Sequence, residues 1–538
     1  MRILIFHGYL LGGTGSNVYN ARLVEALVRL GHEVHLLCQE RHPEEHPFLA
    51  AAGDWASGEL RVRELAASTT DGSTAAAGPG RATLYRPDIG RLLPVYVADR
   101  YEGLEASTFA ECTPEEVERY LAANVAAVAE VANGVRPEVA LANHLVMSPV
   151  ILARGLAGRT PYAVKVHGSA LEYTVKPDPE RFLTPAREGL ASARGVLVGS
   201  RHTAESLWTA LGEEGLAERT RLGPPGVDVA RFVPREPAAA TAGLRALASR
   251  LAAIPAHGPG ADVDDAEPAS AFARDPREAA VALGRLDPDR DRLVAYVGKL
   301  IVSKGVDLLL ASWPLVLAEV SDARLVIVGF GSYRDGLVAL LRALRDGDLQ
   351  EARAIAQAGR QLEEPSAPAG PLRHLLAFID SLDGSEREAY LTAAARLEDR
   401  VVLTGRLEHE ELCDLLPACE ALVAPSTFPE AFGMVAAEGA ACGAVPVVAR
   451  HSGLAEVSDA LAAAVPSEAA RRLSFPVDDG AVRALGDCLI GCLRADPAVR
   501  ERTREGLVAT VRRLWSWERV ATGVIAAAQG ELAGLQRP

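Results

Sequence analysis

The chain has 538 residues, of which 49% are hydrophobic and 24% charged, and a formal net charge of −15. That length exceeds one ordinary core and fits two α/β domains with insertions, while the acidic balance repels phosphates and so excludes nucleic acid as a general partner. No stretch reaches the ~18 uninterrupted apolar residues of a membrane span, and seven cysteines without paired zinc spacing read as cytoplasmic thiols. A peripheral membrane contact stays open.

The opening alternates strand and helix. An apolar run, Ile3 to Phe6, leads into a glycine-rich loop with Gly12 and Gly13, then a helix carrying Val18, Leu23, Ala26, Leu27 and Leu30 that stops at Gly31 before strand Val34 to Leu37. This is a βαβ unit, and the crossover implies parallel pairing. Further short runs at Val139 to Ala142, Tyr162 to Val166 and Gly195 to Val198 each end at small or polar residues, where open α/β sheets bind ligands. The predicted first domain spans 1–235.

Residues 236–291 are rich in alanine, proline and acids without a strand signal, and read as a linker with a helical insertion. The α/β rhythm restarts over 292–515 with strands Leu293 to Val297, Leu325 to Val328, Val401 to Leu403 and Ala421 to Val423. Between about 336 and 400 the chain holds far more than a normal loop, and its periodicity predicts a helical insertion. The fold class is α/β: two doubly wound, Rossmann-like domains with helical insertions.

Only four of the 56 basic residues are lysine, and two of those, Lys299 and Lys304, share one loop. In VGKLIVSKGVDLLL a strand ends at Val297, Gly298 follows, and the two cations flank the start of a helix whose apolar face is Val306, Leu309, Leu310 and Trp313. Free backbone N–H groups, the positive end of a helix dipole and two ammonium groups are what a diphosphate needs. The bland reading is a pair of solvated surface lysines. In a chain that otherwise uses arginine, the phosphate reading is preferred.

A second constellation is PSTFPEAFGMVAAEGAACG, in which Glu430 lies in a loop and Glu438 in the following helix, predicted to begin near Phe432. At ~1.5 Å per residue the two carboxylates stand on the order of 12 Å apart, about the span from a sugar across a diphosphate to a ribose. Carboxylates accept hydrogen bonds from vicinal hydroxyls, and the N–H groups of Phe432, Gly433 and Met434 would face phosphate oxygens. Either glutamate alone reads as a solvated acid. Together, in a strand-loop-helix context, they read as a donor site.

These residues resemble family 4 of the retaining glycosyltransferases, the group 1 type within the GT-B superfamily. The shared pattern is Gly298, Lys299, Lys304 and Gly305 for the diphosphate, then Glu430 and Glu438 with seven residues between them. The family usually has arginine where this chain has Lys299. The resemblance implies two domains facing a cleft, Glu430 on hydroxyls of the donor sugar and Glu438 on the ribose. It also implies donor contacts at Gly12 and Gly13, a strand and loop covering the nucleobase at Gly405 and Arg406, and a crossing between domains at Gly226 to Asp228. The final segment, 516–538, looks like the family's last helix, which returns to the first domain. His167, after strand Tyr162 to Val166, matches a His-Gly that faces the donor sugar in similar proteins.

The implied reaction transfers a hexosyl unit from a nucleotide diphosphate sugar to an acceptor hydroxyl with retention. His167, Lys299, Lys304 and Glu430 are its catalytic candidates. Neither metal nor other cofactor is expected: Asp262 with Asp264 and Asp346 with Asp348 fall in irregular or inserted sequence and read as chance Asp-x-Asp matches. The acceptor, whether saccharide, lipid-linked or small molecule, stays open. The rivals are a glucan synthase or phosphorylase on the same scaffold, a catalytically silent nucleotide-sugar-binding protein, and a dinucleotide-binding dehydrogenase, which the glycine spacing at Gly12 disfavours.

Overall fold

The computed structural model describes residues 1–12, 15–66, 79–96, 103–254, 274–363 and 370–538. Gly13 and the Asp262–Asp264 pair lie outside the described residues. The chain forms two compact units, one of Met1–Gly226 with Trp515–Pro538 and one of Val227–Leu514.

In the first unit the strands are β1 (Arg2–Phe6), β2 (Glu33–Leu37), β3 (Leu49–Ala56), β4 (Glu59–Glu64), β5 (Arg81–Arg86), β6 (Leu92–Val95), β7 (Glu105–Thr108), β8 (Val139–Asn143), β9 (Tyr162–Val166), β10 (Gly195–Val198) and β11 (Thr220–Leu222). Nine of them form one sheet in the order β11-β10-β9-β8-β1-β2-β5-β3-β4, while β6 and β7 pair separately. Every pairing in the large sheet is parallel except the β3–β4 hairpin. Parallel strands covered on both faces must be apolar throughout. Accordingly β8, β9 and β10 are buried along their whole length.

The helix Gly15–Arg29 buries Leu23, Val24, Ala26 and Leu27 in a core that also contains Ile3, Ile5, Leu141, Trp517, Ala521 and Val524. The last three come from the helix Trp517–Gln529, so the end of the chain completes the covering layer of the first unit. Gly226 approaches the Trp517 ring so closely that a Cβ there would lie 2.5 Å from it.

The second unit has a six-stranded, all-parallel sheet ordered β14-β13-β12-β15-β16-β17, formed by β12 (Arg292–Val297), β13 (Ala323–Val328), β14 (Val401–Gly405), β15 (Ala421–Ala424), β16 (Val445–Ala449) and β17 (Ser474–Phe475). The sheet is the doubly wound kind, with strand order reversing beside β12. Helices Arg334–Arg345, Leu349–Ala358, Arg373–Ser381 and Gly384–Ala394 occupy the stretch expected as a helical insertion. They are docked: Tyr390 Oη donates to the Ala311 carbonyl at 2.9 Å. Among the described residues no helix is long and apolar enough to cross a membrane.

Two expectations change. The first unit ends at Gly226, not at 235, because the strand pattern stops with β11. The described parts of the segment expected as a linker, 236–254 and 274–291, belong to the second unit. Its helix Pro237–Ala253 is held there by Arg250, which pairs with Asp414 at 2.5 Å, and Arg235 just before the helix pairs with the same carboxylate at 2.7 Å.

Leu141 is fully buried between β1 and β9. Leu141→Ala should therefore cost about 2–5 kcal/mol, read by calorimetry as a fall in the unfolding midpoint of the first unit.

Candidate functional site

In a parallel sheet all strand C-termini fall on one edge, and in the second unit the sequence-predicted residues follow those ends. Gly298 follows β12, Gly405 ends β14, and the loop of Glu430 follows β15. Hydrogen bonds stitch these loops together. The Gly298 N–H donates to the Val328 carbonyl at 3.0 Å, Gly329 N–H to the Gly405 carbonyl at 2.9 Å, and Thr427 N–H to the Ser303 carbonyl at 2.9 Å.

Gly305 shows why the Lys304 loop needs its glycine. Its φ is +65°, a conformation that costs any L side chain, and a Cβ there would lie 2.1 Å from the Pro425 carbonyl oxygen. The two loops touch backbone to backbone. That contact brings Lys304 onto Glu430: its Nζ donates to Glu430 Oε1, which also accepts from Ser426 Oγ at 2.6 Å.

The rest of the Glu430 loop is held from the next strand connection. The Glu430 N–H donates to Ser452 Oγ at 2.8 Å, and Gly453 N–H donates to the Glu430 carbonyl at 2.9 Å. His451 Nε2 donates to the Ser426 carbonyl at 2.7 Å, so its Nδ1 accepts from Ser452 Oγ at 3.0 Å. Every hydrogen is placed once. A partly exposed ion pair contributes on the order of 1 kcal/mol or less to stability, so Lys304 and Glu430 have little structural reason to meet.

The following helix spans Met434–Ala441, starting two residues later than expected, because Gly433 at φ +112° acts as its N-cap. The N–H groups of Gly433 and Met434 make no hydrogen bond among the described residues. Phe432 is buried. Glu438 is 4% exposed, and its Oε1 meets His409 Nε2 at 2.7 Å. The His409 ring in turn lies 5.0 Å from that of Phe232. Lys299 is exposed, with its carbonyl accepting from Tyr296 Oη at 2.8 Å. Arg406 lies over the Phe330 ring at 5.8 Å and pairs with Glu408 at 3.1 Å.

Asp307, in the first turn of helix Val306–Glu319, is buried with one carboxyl oxygen unpartnered, and burial pushes its carboxyl up to about 7. Of the Asp-x-Asp matches, Asp348 is explained by local structure, since its side chain accepts from Glu351 N–H at 2.9 Å as a helix cap, while Asp346 pairs with Arg345 at 2.7 Å.

In the first unit His167 stands after β9, in contact with residues from neighbouring elements. Its ring lies 4.9 Å from both Tyr19 and His144, and Nε2 bonds Asn143 Oδ1 at 2.9 Å. Burial, reinforced by His144, Lys165 and His7, holds the imidazole well below its ordinary pKa. His7 is lowered to about 4 by burial. Gly12 supplies a carbonyl that accepts from Asn17 Nδ2 at 2.6 Å.

Two family patterns match the chain. "Glycosyl transferase 4-like domain" covers residues 14–226, ending where the first unit ends, and "Glycosyl transferases group 1" covers 373–471. The two matches, one in each unit, support a group 1 glycosyltransferase.

The family's second pattern covers Gly405, Arg406, Glu430 and Glu438, and its first covers His167; Lys299 and Lys304 fall outside both. Over 153 residues the chain is 35% identical to a glycogen synthase of Mesorhizobium japonicum, covering 27% of this chain and 30% of that one. It is 26% identical over 361 residues to a D-inositol 3-phosphate glycosyltransferase of Xylanimonas cellulosilytica, covering 67% and 63%. The matches thus span less than two thirds of either relative. A structure of HepE from Anabaena in complex with UDP and glucose superimposes with a TM-score of 0.52 at 14% identity, covering 98% of this chain and 99% of that one. Such a likeness establishes the two-domain GT-B fold.

The residues that sequence reasoning missed are Ser426, His451 and Ser452 around Glu430, His409 on Glu438, and the asparagines linked to His167. The missed second-unit residues act from neighbouring loops, and no spacing rule joins them to the glutamates.

Two outcomes test this geometry. Gly305→Ala forces a Cβ against Pro425 and a side chain into positive φ, so it should lower the second unit's unfolding midpoint in calorimetry by several degrees. Asp307 binds a proton in the folded state that the unfolded state has released above pH ~4. Its contribution to stability therefore falls as pH rises from about 4 to 7, and Asp307→Asn should flatten that part of the curve in denaturant titrations.

Proposed function

We propose that this chain is a retaining glycosyltransferase that moves a hexosyl unit from a nucleotide diphosphate sugar to an acceptor hydroxyl, in the cytoplasm and without a resident metal. The observation that carries the reading is the pairing of Lys304 with Glu430 on a glycine-bounded loop at the strand ends of the second unit. A cation suited to phosphate and a carboxylate suited to sugar hydroxyls are held side by side. The likeness in fold to a protein solved with UDP and glucose supports the same ligand class.

Lys299 and Lys304 hold the diphosphate with the N–H groups of Gly298, Gly433 and Met434, and Glu430 accepts from hydroxyls of the sugar. Arriving donor splits the Lys304–Glu430 pair, giving Lys304 an anionic phosphate in place of the carboxylate and Glu430 neutral hydroxyl donors in place of the ammonium. Glu438 exchanges or shares His409 for the ribose, with Gly405 and Arg406 beside the base and Phe432 under the loop. Within the first unit, the loop at Gly12 suits a phosphate and His167 a sugar hydroxyl.

As the glycosidic bond to the diphosphate breaks, negative charge builds on the leaving oxygen. Fixed cations and N–H dipoles stabilise it most when already oriented. The acceptor hydroxyl enters on the same face and passes its proton to a phosphate oxygen. A second reading, in which the acceptor is a growing glucan, is favoured by the 35% identity to a glycogen synthase.

Calorimetric titration of UDP, GDP and ADP, followed by their sugar conjugates, tests the assignment. One diphosphate should bind at micromolar affinity and weaken about tenfold or more in Lys304→Ala, as expected for a lost charge-assisted contact. Glu430→Ala should weaken the sugar conjugate only. Binding unaffected by both substitutions would refute the donor site.

A further inference from the structure

Three buried asparagines and two histidines in the first unit form one hydrogen-bonded chain. His167 Nε2 meets Asn143 Oδ1 at 2.9 Å, Asn143 Nδ2 meets Asn20 Oδ1 at 2.8 Å, and Asn20 Nδ2 meets His7 Nδ1 at 3.0 Å. His7 Nε2 meets Asn17 Oδ1 and the Leu10 carbonyl, both at 3.0 Å, and Asn17 Nδ2 ends the chain on the Gly12 carbonyl at 2.6 Å. Asn17, Asn20, Asn143 and His7 are at most 1% exposed. Water does not compete for these groups.

The direction of every bond is fixed by backbone. Each asparagine has its amide nitrogen pinned by a carbonyl: Asn17 by Gly12, Asn20 by Ser16 at 2.9 Å, and Asn143 by Phe6 at 3.4 Å. A carbonyl only accepts, so no amide can be turned over without opposing two acceptors. Asn143 Oδ1 is therefore an acceptor, and the proton between it and His167 belongs to the histidine. Likewise Asn20 donates to His7 Nδ1, which must be bare, and His7 donates through Nε2 to the Leu10 carbonyl. All links run one way from His167 to the loop at Gly12. Aligned dipoles of this kind strengthen one another.

We propose that Asn143, Asn20 and His7 are positioning residues that lock His167 in the neutral Nε2–H tautomer, making its Nδ1 an obligate hydrogen-bond acceptor for a sugar hydroxyl. The inference rests on the reading of His167 as a residue that serves the sugar. Nδ1 makes no hydrogen bond among the described residues. A neutral ring with a bare Nδ1 selects a hydroxyl that donates, and it rejects a substituent that only accepts. Because the chain ends on the Gly12 carbonyl, it also ties the ring's tautomer to the conformation of that loop.

The test is nitrogen-15 NMR of histidine-labelled full-length protein, with the His167 signals assigned through His167→Ala. Wild type should show a protonated, pyrrole-type Nε2 and a pyridine-type Nδ1 across neutral pH. An Nδ1–H ring, or a mixture of tautomers, overturns the proposal without any asparagine variant having to fold. Asn143→Asp keeps an acceptor for Nε2–H but loses both donations, and its carboxylate favours the imidazolium. It should shift the His167 titration upward by about one pH unit or more; a titration identical to wild type overturns the positioning role.

UDP-glucose and its monodeoxyfluoro analogues supply the functional arm, since fluorine replaces a hydroxyl without a proton to give. One analogue should bind wild type about tenfold more weakly than the parent and recover part of that loss in Asn143→Asp where the ring is charged. If every analogue binds like the parent while His167→Ala loses affinity, the acceptor assignment is overturned. If His167→Ala leaves UDP-glucose affinity unchanged, the sugar-serving reading of His167 falls, and the tautomer spectrum still decides the hydrogen-bond chain.

Discussion

Parallel pairing is the constraint from which the rest follows. When β12, β13, β14 and β15 all run in one direction, every connection leaves from the same edge, and residues separated by more than a hundred positions converge there. Lys304 and Glu430, 126 positions apart, meet because β12 and β15 are neighbours in register, with Tyr296 opposite Val423. The same rule acts in the first unit. His7, Asn143 and His167 follow or end β1, β8 and β9, three adjacent strands, and that adjacency joins their side chains.

The two clusters use opposite electrostatics. In the second unit charge is kept and opposed: an ammonium faces a carboxylate, and a serine hydroxyl reinforces the carboxylate from the other side. Such a pair tolerates partial exposure and exchanges partners readily, since its net worth in water is small. In the first unit charge is excluded. Burial lowers His7 to about 4 and holds His167 and His144 well below their ordinary values, leaving neutral rings whose direction of hydrogen bonding, not charge, carries information. On the proposed function the first cluster holds a dianion and the second discriminates a hydroxyl, tasks that call for these different solutions.

How much of this was legible in sequence depends on how local each signal is. Lys299 and Lys304 stood out because lysine is rare in this chain and because both flank one helix start. Glu430 and Glu438 stood out because one short segment carries both. The core strands were readable as apolar runs, and β9 and β10 fall where those runs lie. By contrast β3, β4 and β5 went unread: ELRVRE is an exposed edge strand, and RATLYR, although paired on both sides and buried at its centre, carries arginines at both ends and a threonine between its apolar residues. The unit boundary was placed nine residues late, at 235 instead of 226, because the helices after it resemble a linker in composition. What assigns them to the second unit is tertiary: Arg235 and Arg250 converge on Asp414.

The asparagines mark the deeper limit. No sequence pattern assigns a role to Asn17, Asn20 or Asn143, and asparagine in a sequence ordinarily signals a turn or a cap. Here each is buried, and each has its amide nitrogen pinned by a main-chain carbonyl, at Gly12, Ser16 and Phe6. Phe6 ends β1 and Ser16 lies in the first turn of the helix Gly15–Arg29, while the Gly12 carbonyl is available because the chain leaves β1 into a glycine-containing loop before that helix begins. The loop that reads in sequence as a ligand-approach device thus has a second use, as the fixed end of a hydrogen-bond chain. Its backbone geometry sets the orientation of side chains on two other strands, which explains why the chemistry of His167 is written in residues far from it in sequence.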